Sequence, residues 1–93
     1  MAKRDRRVTQ QPRTVSRGLR LIFGMNCKTA RLKKGLTQQE MAKETGIAQP
    51  RIAQIELGNI NITFETAVRI AHAVDRDLVH LLRSPGLKIR KKH

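Results

Sequence analysis

The chain has 93 residues, only two aromatic residues and a net charge of +13. A chain of this length folds as one small domain, and its core must be aliphatic because so few aromatic side chains are present. A single cysteine, Cys27, excludes an intramolecular disulfide and a cysteine-cluster metal site. No apolar run reaches the roughly 18 residues that span a bilayer. We therefore expect a cytoplasmic protein without a membrane-spanning segment.

The surplus positive charge lies at the two ends of the chain. Residues 1–20 contain seven basic residues and one acidic residue, and residues 83–93 contain five basic residues and no acidic one. Residues 21–82 are nearly balanced, with eight basic and six acidic residues. Basic ends indicate a polyanionic partner, since neutralised phosphates release their counterions. A solvated tail without a partner is the alternative.

The first seventeen residues predict a flexible basic arm, because they are polar, charged and interrupted by Pro12. A folded domain is expected over residues 18–83, and a second basic tail over 84–93. The arm offers five arginines to phosphates or to the minor groove of DNA. They are Arg4, Arg6, Arg7, Arg13 and Arg17.

A first helix begins near Leu19, where apolar residues appear, and its exact start is obscured by Gly18 and Gly24. Helical spacing gives this helix one common face, and Gly35 ends it. The residues on that face are Phe23, Cys27, Ala30, Arg31 and Lys34. Cys27 is expected to be a small core residue rather than a reactive thiol.

The stretch from Thr37 to Gly58, TQQEMAKETGIAQPRIAQIELG, predicts two short helices joined by a tight turn. Thr37 and Glu40 have the spacing of a capping box, which fixes the start of the first of these helices. Gly46 allows the left-handed backbone that ends it. The second helix has branched apolar residues on its inner stripe and a polar, nearly uncharged outer face.

Two further helices follow. Thr63 can cap a fourth helix, Phe64 to Val74, and Asp77 can cap a fifth, Leu78 to Leu82. The residues expected to face inward on the fourth helix are Phe64, Ala67, Val68, Ala71 and Val74. The three histidines lack metal-ligand spacing, and no nucleophile–base pair, carboxylate pair or phosphate-cradling loop is visible. We expect neither an enzyme nor a protein with a metal or cofactor.

The order and spacing of GLTQQEMA, IELGN and LVHLL resemble the helix-turn-helix family of the Cro and phage-repressor (XRE) type, over roughly Cys27 to Leu82. The resemblance implies an all-α, five-helix domain with its helix-turn-helix motif over residues 38–57. In that family the second helix of the motif enters the major groove of DNA. One departure is Ala48, where the family often has a capping serine or threonine, and it leaves the exact start of this helix open.

Glutamine can pair with adenine and arginine with guanine, so the outer face of the second motif helix is expected to contact bases through Gln49, Pro50, Arg51 and Gln54. The residues expected at phosphates are Gln38, Gln39, Asn59, Asn61 and Thr63. For the last three, ordinary turn and cap roles are an equal alternative. The resemblance also implies a partly buried, bidentate ion pair between Arg31 and Glu56.

These features predict a sequence-specific, DNA-binding transcriptional regulator of bacterial or phage origin, associated with the nucleoid. It would repress by binding an inverted-repeat operator as a homodimer formed through the last helix. The predicted helix-turn-helix domain also resembles restriction–modification controllers and antitoxins. An antitoxin would have a toxin or other protein partner. An RNA-binding protein or a protein-bridging coactivator is the alternative of another class.

Overall fold

The computed structural model describes the backbone of residues 2–84 and the side chains of residues 15–84. Within that range the chain is helical, with no strand, which confirms the predicted five-helix, all-α fold. The helices are α1 (Ala2–Lys34), α2 (Gln38–Thr45), α3 (Gln49–Glu56), α4 (Phe64–Ala73) and α5 (Leu78–Leu81). None of these helices is both long and apolar enough to cross a membrane. The basic tail predicted over residues 84–93 lies outside the described residues except for Ser84.

The start of α1 differs from the prediction. The backbone is helical from Ala2, in place of the flexible arm expected over residues 1–17. Alanine, lysine, arginine and glutamine favour helix, and Pro12 lies inside α1 without ending it. The prediction gave that proline too much weight. Arg4, Arg6, Arg7, Arg13 and Arg17 are therefore on helical backbone, and their contact with DNA stays a prediction.

The core lies where α1 packs against α3 and α5 and where α2 packs against α3 and α4. It is aliphatic, as the composition predicts, apart from the buried Phe23. The largest fully buried side chains are Met41, Ile52, Ile70, Leu81, Val74 and Cys27. Residues of all five helices thus meet in one cluster, which fixes the position of α3 relative to the rest of the domain.

The predicted inner face of α4 is partly wrong. Phe64 is 81% exposed and Val68 is 53% exposed, whereas Ile70, which the prediction left out, is fully buried. The buried stripe runs at positions 67, 70, 71 and 74, the i, i+3, i+4, i+7 pattern of one helix face. A stripe that started at Phe64 would have to be rotated away from Ile70. Phe64 and Val68 therefore leave apolar surface exposed.

The fifth helix is one residue shorter than predicted and is held differently. Asp77 occupies the N-cap position, but its side chain makes no capping hydrogen bond. The other end is fixed instead, because Asn26 Nδ2 donates to the carbonyl oxygens of Leu81 (2.8 Å) and Arg83 (2.9 Å). Asn26 therefore attaches the end of α5 to α1.

The crossing of α1 and α3 depends on Gly24. A Cβ atom at this position would lie 2.4 Å from the carbonyl oxygen of Ile55 and 2.6 Å from that of Glu56. Both distances are far shorter than van der Waals contact, so α1 approaches the last turn of α3 closely only because residue 24 has no side chain. This close crossing anchors the C-terminal end of α3.

Candidate nucleic-acid interface

The helix-turn-helix motif is built by the local signals that the sequence contains. Thr37 Oγ1 accepts from the backbone N–H of Glu40 (3.0 Å), and the Thr37 N–H donates to Glu40 Oε1 (2.8 Å). This is the predicted capping box. Gly46 ends α2 in the left-handed conformation with φ of 77°, and its N–H donates to the carbonyl oxygen of Ala42. The chain then turns into α3.

Helix α3 begins at Gln49 without a side-chain cap. Ala48 occupies the N-cap position, and its carbonyl oxygen accepts from the N–H groups of Arg51 (2.9 Å) and Ile52 (3.1 Å). Pro50 falls in the first turn, where its missing N–H costs no helical hydrogen bond. The start of α3 that the sequence left open is therefore at Gln49.

One side of α3 is buried and the opposite side is exposed. Ile52, Ile55 and Glu56 face the core, whereas the predicted base-contacting residues Pro50, Arg51 and Gln54 are exposed and Gln49 is half-buried. At about 100° per residue, Pro50 and Gln54 point within about 40° of each other, and Gln49 and Arg51 are on opposite flanks. The four side chains therefore cover a broad outward surface.

The ion pair predicted between α1 and α3 is present and buried. Arg31 Nε donates to Glu56 Oε2 at 2.7 Å and Arg31 Nη2 donates to Oε1 at 3.0 Å, with side-chain exposures of 7% and 3%. A third donor of the guanidinium, Nη1, reaches the carbonyl oxygen of Leu36 at 2.8 Å. Burial removes the water that would solvate both charges. The bidentate geometry and the extra hydrogen bond offset the free-energy cost of that desolvation.

A hydrogen-bond chain continues from this ion pair to the start of α3. Gln38 Nε2 donates to Glu56 Oε1 at 3.0 Å, and Gln49 Nε2 donates to Gln38 Oε1 at 2.8 Å. The carboxylate of Glu56 can only accept, so Gln38 must present its NH₂ group to Glu56 and its oxygen to Gln49. Gln49 is then left with its own oxygen and one N–H for another partner.

The model of the family described as helix-turn-helix (HTH_3) matches residues 28–81, which is more than half of the chain. The chain belongs to the helix-turn-helix family. This result confirms the family that the motif spacing resembles.

Three proteins similar to this helix-turn-helix protein have names that refer to transcription or to control. The uncharacterized HTH-type transcriptional regulator YqaE of Bacillus subtilis is 37% identical over 62 residues, which cover 67% of this chain and 53% of YqaE. The chain thus spans about half the length of that relative. The hypothetical transcription factor NHTF from Neisseria is 25% identical with a TM-score of 0.73, over 77% of this chain and 83% of NHTF. The restriction-modification controller protein C.AhdI from Aeromonas hydrophila is 26% identical with a TM-score of 0.64, over 67% of this chain and 94% of C.AhdI.

The loop after α3 in this helix-turn-helix protein contains three of the predicted phosphate contacts, and each has a partner within the protein. Asn59 Nδ2 donates to Gln54 Oε1 at 3.1 Å, and Asn61 Oδ1 accepts from Arg20 Nη1 at 3.0 Å. Thr63 caps α4 by accepting from the N–H of Thr66. These contacts support the turn-and-cap alternative and leave the phosphate role as a proposal. Gln39 is exposed at the start of α2.

Two residues near the interface have roles that the sequence did not predict. Arg20 connects α1 to the loop after α3, because its Nη1 donates to Asn61 Oδ1 at 3.0 Å and, within α1, to Ser16 Oγ at 3.2 Å. The i,i+4 spacing of Ser16 and Arg20 was the one available signal. Gly24 was visible only as a helix-weakening residue, because the α1–α3 crossing is a tertiary contact.

Cys27 is fully buried in the core. Burial, and secondarily the negative charge of Glu56, raises the pKa of the Cys27 thiol well above its ordinary value. The thiol therefore stays protonated and packs as a small apolar group, which agrees with the core role expected for it.

Proposed function

We propose that this helix-turn-helix protein is a DNA-binding transcriptional regulator that binds an inverted-repeat operator as a homodimer and represses by occupying a promoter. The observation that carries the proposal is the outward face of α3. Its polar residues are exposed or half-buried, while the other side of the helix is held by the core and by the Arg31–Glu56 ion pair. A rigid helix with an exposed polar face is what entry into the major groove requires.

The hydrogen-bond chain supports adenine as the partner of Gln49. The free oxygen and the remaining N–H of its amide match the N6 donor and N7 acceptor that adenine presents in the major groove. Arg51 offers the fork of donors that pairs with guanine O6 and N7. Each such pair contributes roughly 1–3 kcal/mol of discrimination against a wrong base.

A homodimer would supply a second copy of α3, so that two α3 helices can contact the DNA. Val79 and Leu82 leave apolar surface exposed on and just after α5, the helix predicted to form the twofold contact. Two copies related by a twofold axis would set their α3 helices about 34 Å apart, one turn of DNA, in successive major grooves. Gln38, Gln39 and the loop after α3 would contact the phosphates beside each groove.

The experiment that tests this function selects bound duplexes from a random pool and then competes the enriched duplex against random DNA and folded RNA. We expect an inverted repeat whose half-site centres lie about 10 base pairs apart, and at least a tenfold poorer competition by random DNA and by RNA. Equal competition by all three would contradict the operator proposal. It would favour an RNA-binding or protein-bridging role.

The similarity to C.AhdI favours one more specific role, that of a restriction–modification controller that binds the operator of its own operon. An antitoxin with a toxin partner would bind DNA by the same face. A pull-down from the source cell distinguishes the two, because an antitoxin copurifies with its toxin in near-stoichiometric amount.

The N-terminal arginines are expected to add affinity without sequence preference. Replacing Arg4, Arg6, Arg7 and Arg13 by glutamine keeps side chains that favour helix and removes four positive charges. For each arginine that contacts a phosphate, the slope of log K against log salt should become shallower by about 0.9, and specific and random DNA should weaken alike. Fluorescence anisotropy at several salt concentrations measures the slope. Loss of sequence preference would show instead that this segment contacts bases.

A further inference from the structure

An apolar groove lies between α1, the loop after α3, the first turn of α4 and α5. It has a volume of about 400 Å³, and Arg20 is the one charged residue among the described residues that line it. Its apolar wall includes Leu19, Phe23, Ile60, Ile62, Leu78 and Leu82. We call it the α1–α5 groove. A groove of this composition favours an apolar occupant over water, which gains few hydrogen bonds there.

Phe64 stands at the rim of the α1–α5 groove with 81% of its surface exposed. A phenyl group buries about 150–250 Å² when it finds a pocket, so exposure of this kind marks an interaction site. The groove and the protruding ring are adjacent on one surface of one chain. A twofold contact requires such a self-complementary surface, because each copy must supply both the protruding group and the hollow.

The charges around the groove are complementary in the same way. Among the residues that the structure describes, Arg20 donates only to the neutral Ser16 and Asn61, and its Nε is buried without a hydrogen-bond partner. Glu65 follows Phe64, its side chain is 78% exposed, and within the described part of the chain its one ionic contact is a 3.4 Å surface contact with Arg69. The groove therefore includes a guanidinium without a counter-charge, and the residue next to Phe64 carries a solvated carboxylate.

We propose that a second copy of this chain occupies the α1–α5 groove, with Phe64 of each copy inserted into the groove of the other and Glu65 facing the partner's Arg20. The proposal rests on the homodimer of the proposed function and assigns its contact. It is continuous with the predicted surface of the last helix, since Leu78 and Leu82 line the groove. A carboxylate brought to the accessible side of the Arg20 guanidinium would supply the counter-charge that this side chain lacks among the described residues.

The contact also connects dimerisation to the DNA-facing loop. Arg20 holds Asn61, a predicted phosphate contact in the loop after α3, through the 3.0 Å hydrogen bond. A dimer that fixes Arg20 would fix Asn61 with it. Dimer formation is therefore expected to order part of the proposed phosphate-binding surface.

Phe64→Ala tests the insertion, with Val68→Ala as the matched control. Both residues are exposed apolar side chains of α4, but Val68 does not line the groove. Sedimentation equilibrium of the full chain should show a dimer that Phe64→Ala weakens about tenfold or more and Val68→Ala leaves within about twofold. Monomeric wild type at all concentrations tested would overturn the proposal. So would equal dimerisation of the Phe64→Ala variant and wild type, or equal weakening by both substitutions.

A charge exchange gives a second test that leaves Phe64 in place. Glu65→Arg places like charges together and should weaken the dimer about fivefold or more, and adding Arg20→Glu should restore most of that loss. Dimerisation unaffected by Glu65→Arg, or not restored in the double variant, would overturn the assigned pair. Circular dichroism of each variant checks that the monomer fold persists.

The same variants separate this contact from DNA binding. Phe64→Ala should retain base preference on a duplex with a single half-site, and Gln49→Ala should lose preference at one base pair while its dimer remains. If wild type dimerises through the groove but shows no base preference, the proposed function fails and the dimer contact stands. If base preference is present and Phe64→Ala leaves the dimer intact, the contact fails and the function stands.

Discussion

Replacing Gly24 by alanine is expected to destabilise the domain by about 3 kcal/mol or more, although the same change in a helix normally stabilises it. The added methyl group would lie 2.4 Å from the carbonyl oxygen of Ile55, and backbone on both sides of the crossing cannot move aside as a flexible side chain does. Either α1 must lift away from α3 or the last turn of α3 must distort. Urea denaturation followed by circular dichroism measures the loss.

Gly18 provides the control for this prediction. It lies on the same helix, and a Cβ atom at this position would meet nothing within 4 Å. Gly18→Ala should therefore raise the free energy of unfolding by about 0.5–1 kcal/mol, because alanine loses less backbone entropy in a helix. Opposite signs at the two glycines are the expected result. A Gly24→Ala protein as stable as wild type would mean that α1 and α3 do not cross at this residue.

Arg31→Ala is expected to cost about 3–5 kcal/mol, because it leaves the carboxylate of Glu56 buried without its cation. The loss should be largely recovered when both charges are removed together, as in Arg31→Met with Glu56→Leu, since no uncompensated charge then remains. Thermal and urea unfolding of the single and double variants measure this difference. The double variant also lacks the acceptor for Gln38, so Gln49 should be less well positioned even though the domain is folded.

The surface pair of Arg69 and Glu65 is the control for the buried one. Their 3.4 Å contact is between exposed side chains, so Arg69→Ala should change stability by no more than about 0.5 kcal/mol. If Arg31→Ala were equally mild, the ion pair would contribute little to the fold, and the hydrogen-bond chain to Gln49 would lose its assigned anchor.

Local signals made much of the helix-turn-helix motif predictable. The Thr37 capping box and the left-handed Gly46 depend on residues within a few positions of one another, and sequence spacing reports such contacts directly. Arg31 and Glu56 are 25 residues apart in the chain, and their ion pair was predictable from the inward position of both residues together with the resemblance to a known family. Spacing alone left two separate surface charges as the less favoured alternative.

The incorrect or missed predictions concern residues whose burial or role is determined by tertiary packing. Phe64 and Val68 have helical spacing with the core residue Ala71, and only the orientation of α4 against α2 and α5 shows that Ile70 is buried instead. The sequence pattern does not indicate the role of Gly24, because this residue acts by leaving room for the backbone of α3. Asn26 holds the end of α5 from 55 residues away, a distance at which sequence pattern gives no signal.

The central claim is that α3, held by the core and the hydrogen-bond chain, contacts bases through its outward face. The most direct test repeats the duplex selection with Gln49→Ala and with Ala53→Gly, a control at a half-buried α3 residue outside the predicted contacts. We expect Gln49→Ala to abolish preference at one symmetry-related base pair, an A·T pair, in each half-site and to leave the remaining positions unchanged. An unaltered selected sequence for Gln49→Ala, or no enriched sequence for the wild type, would contradict the claim.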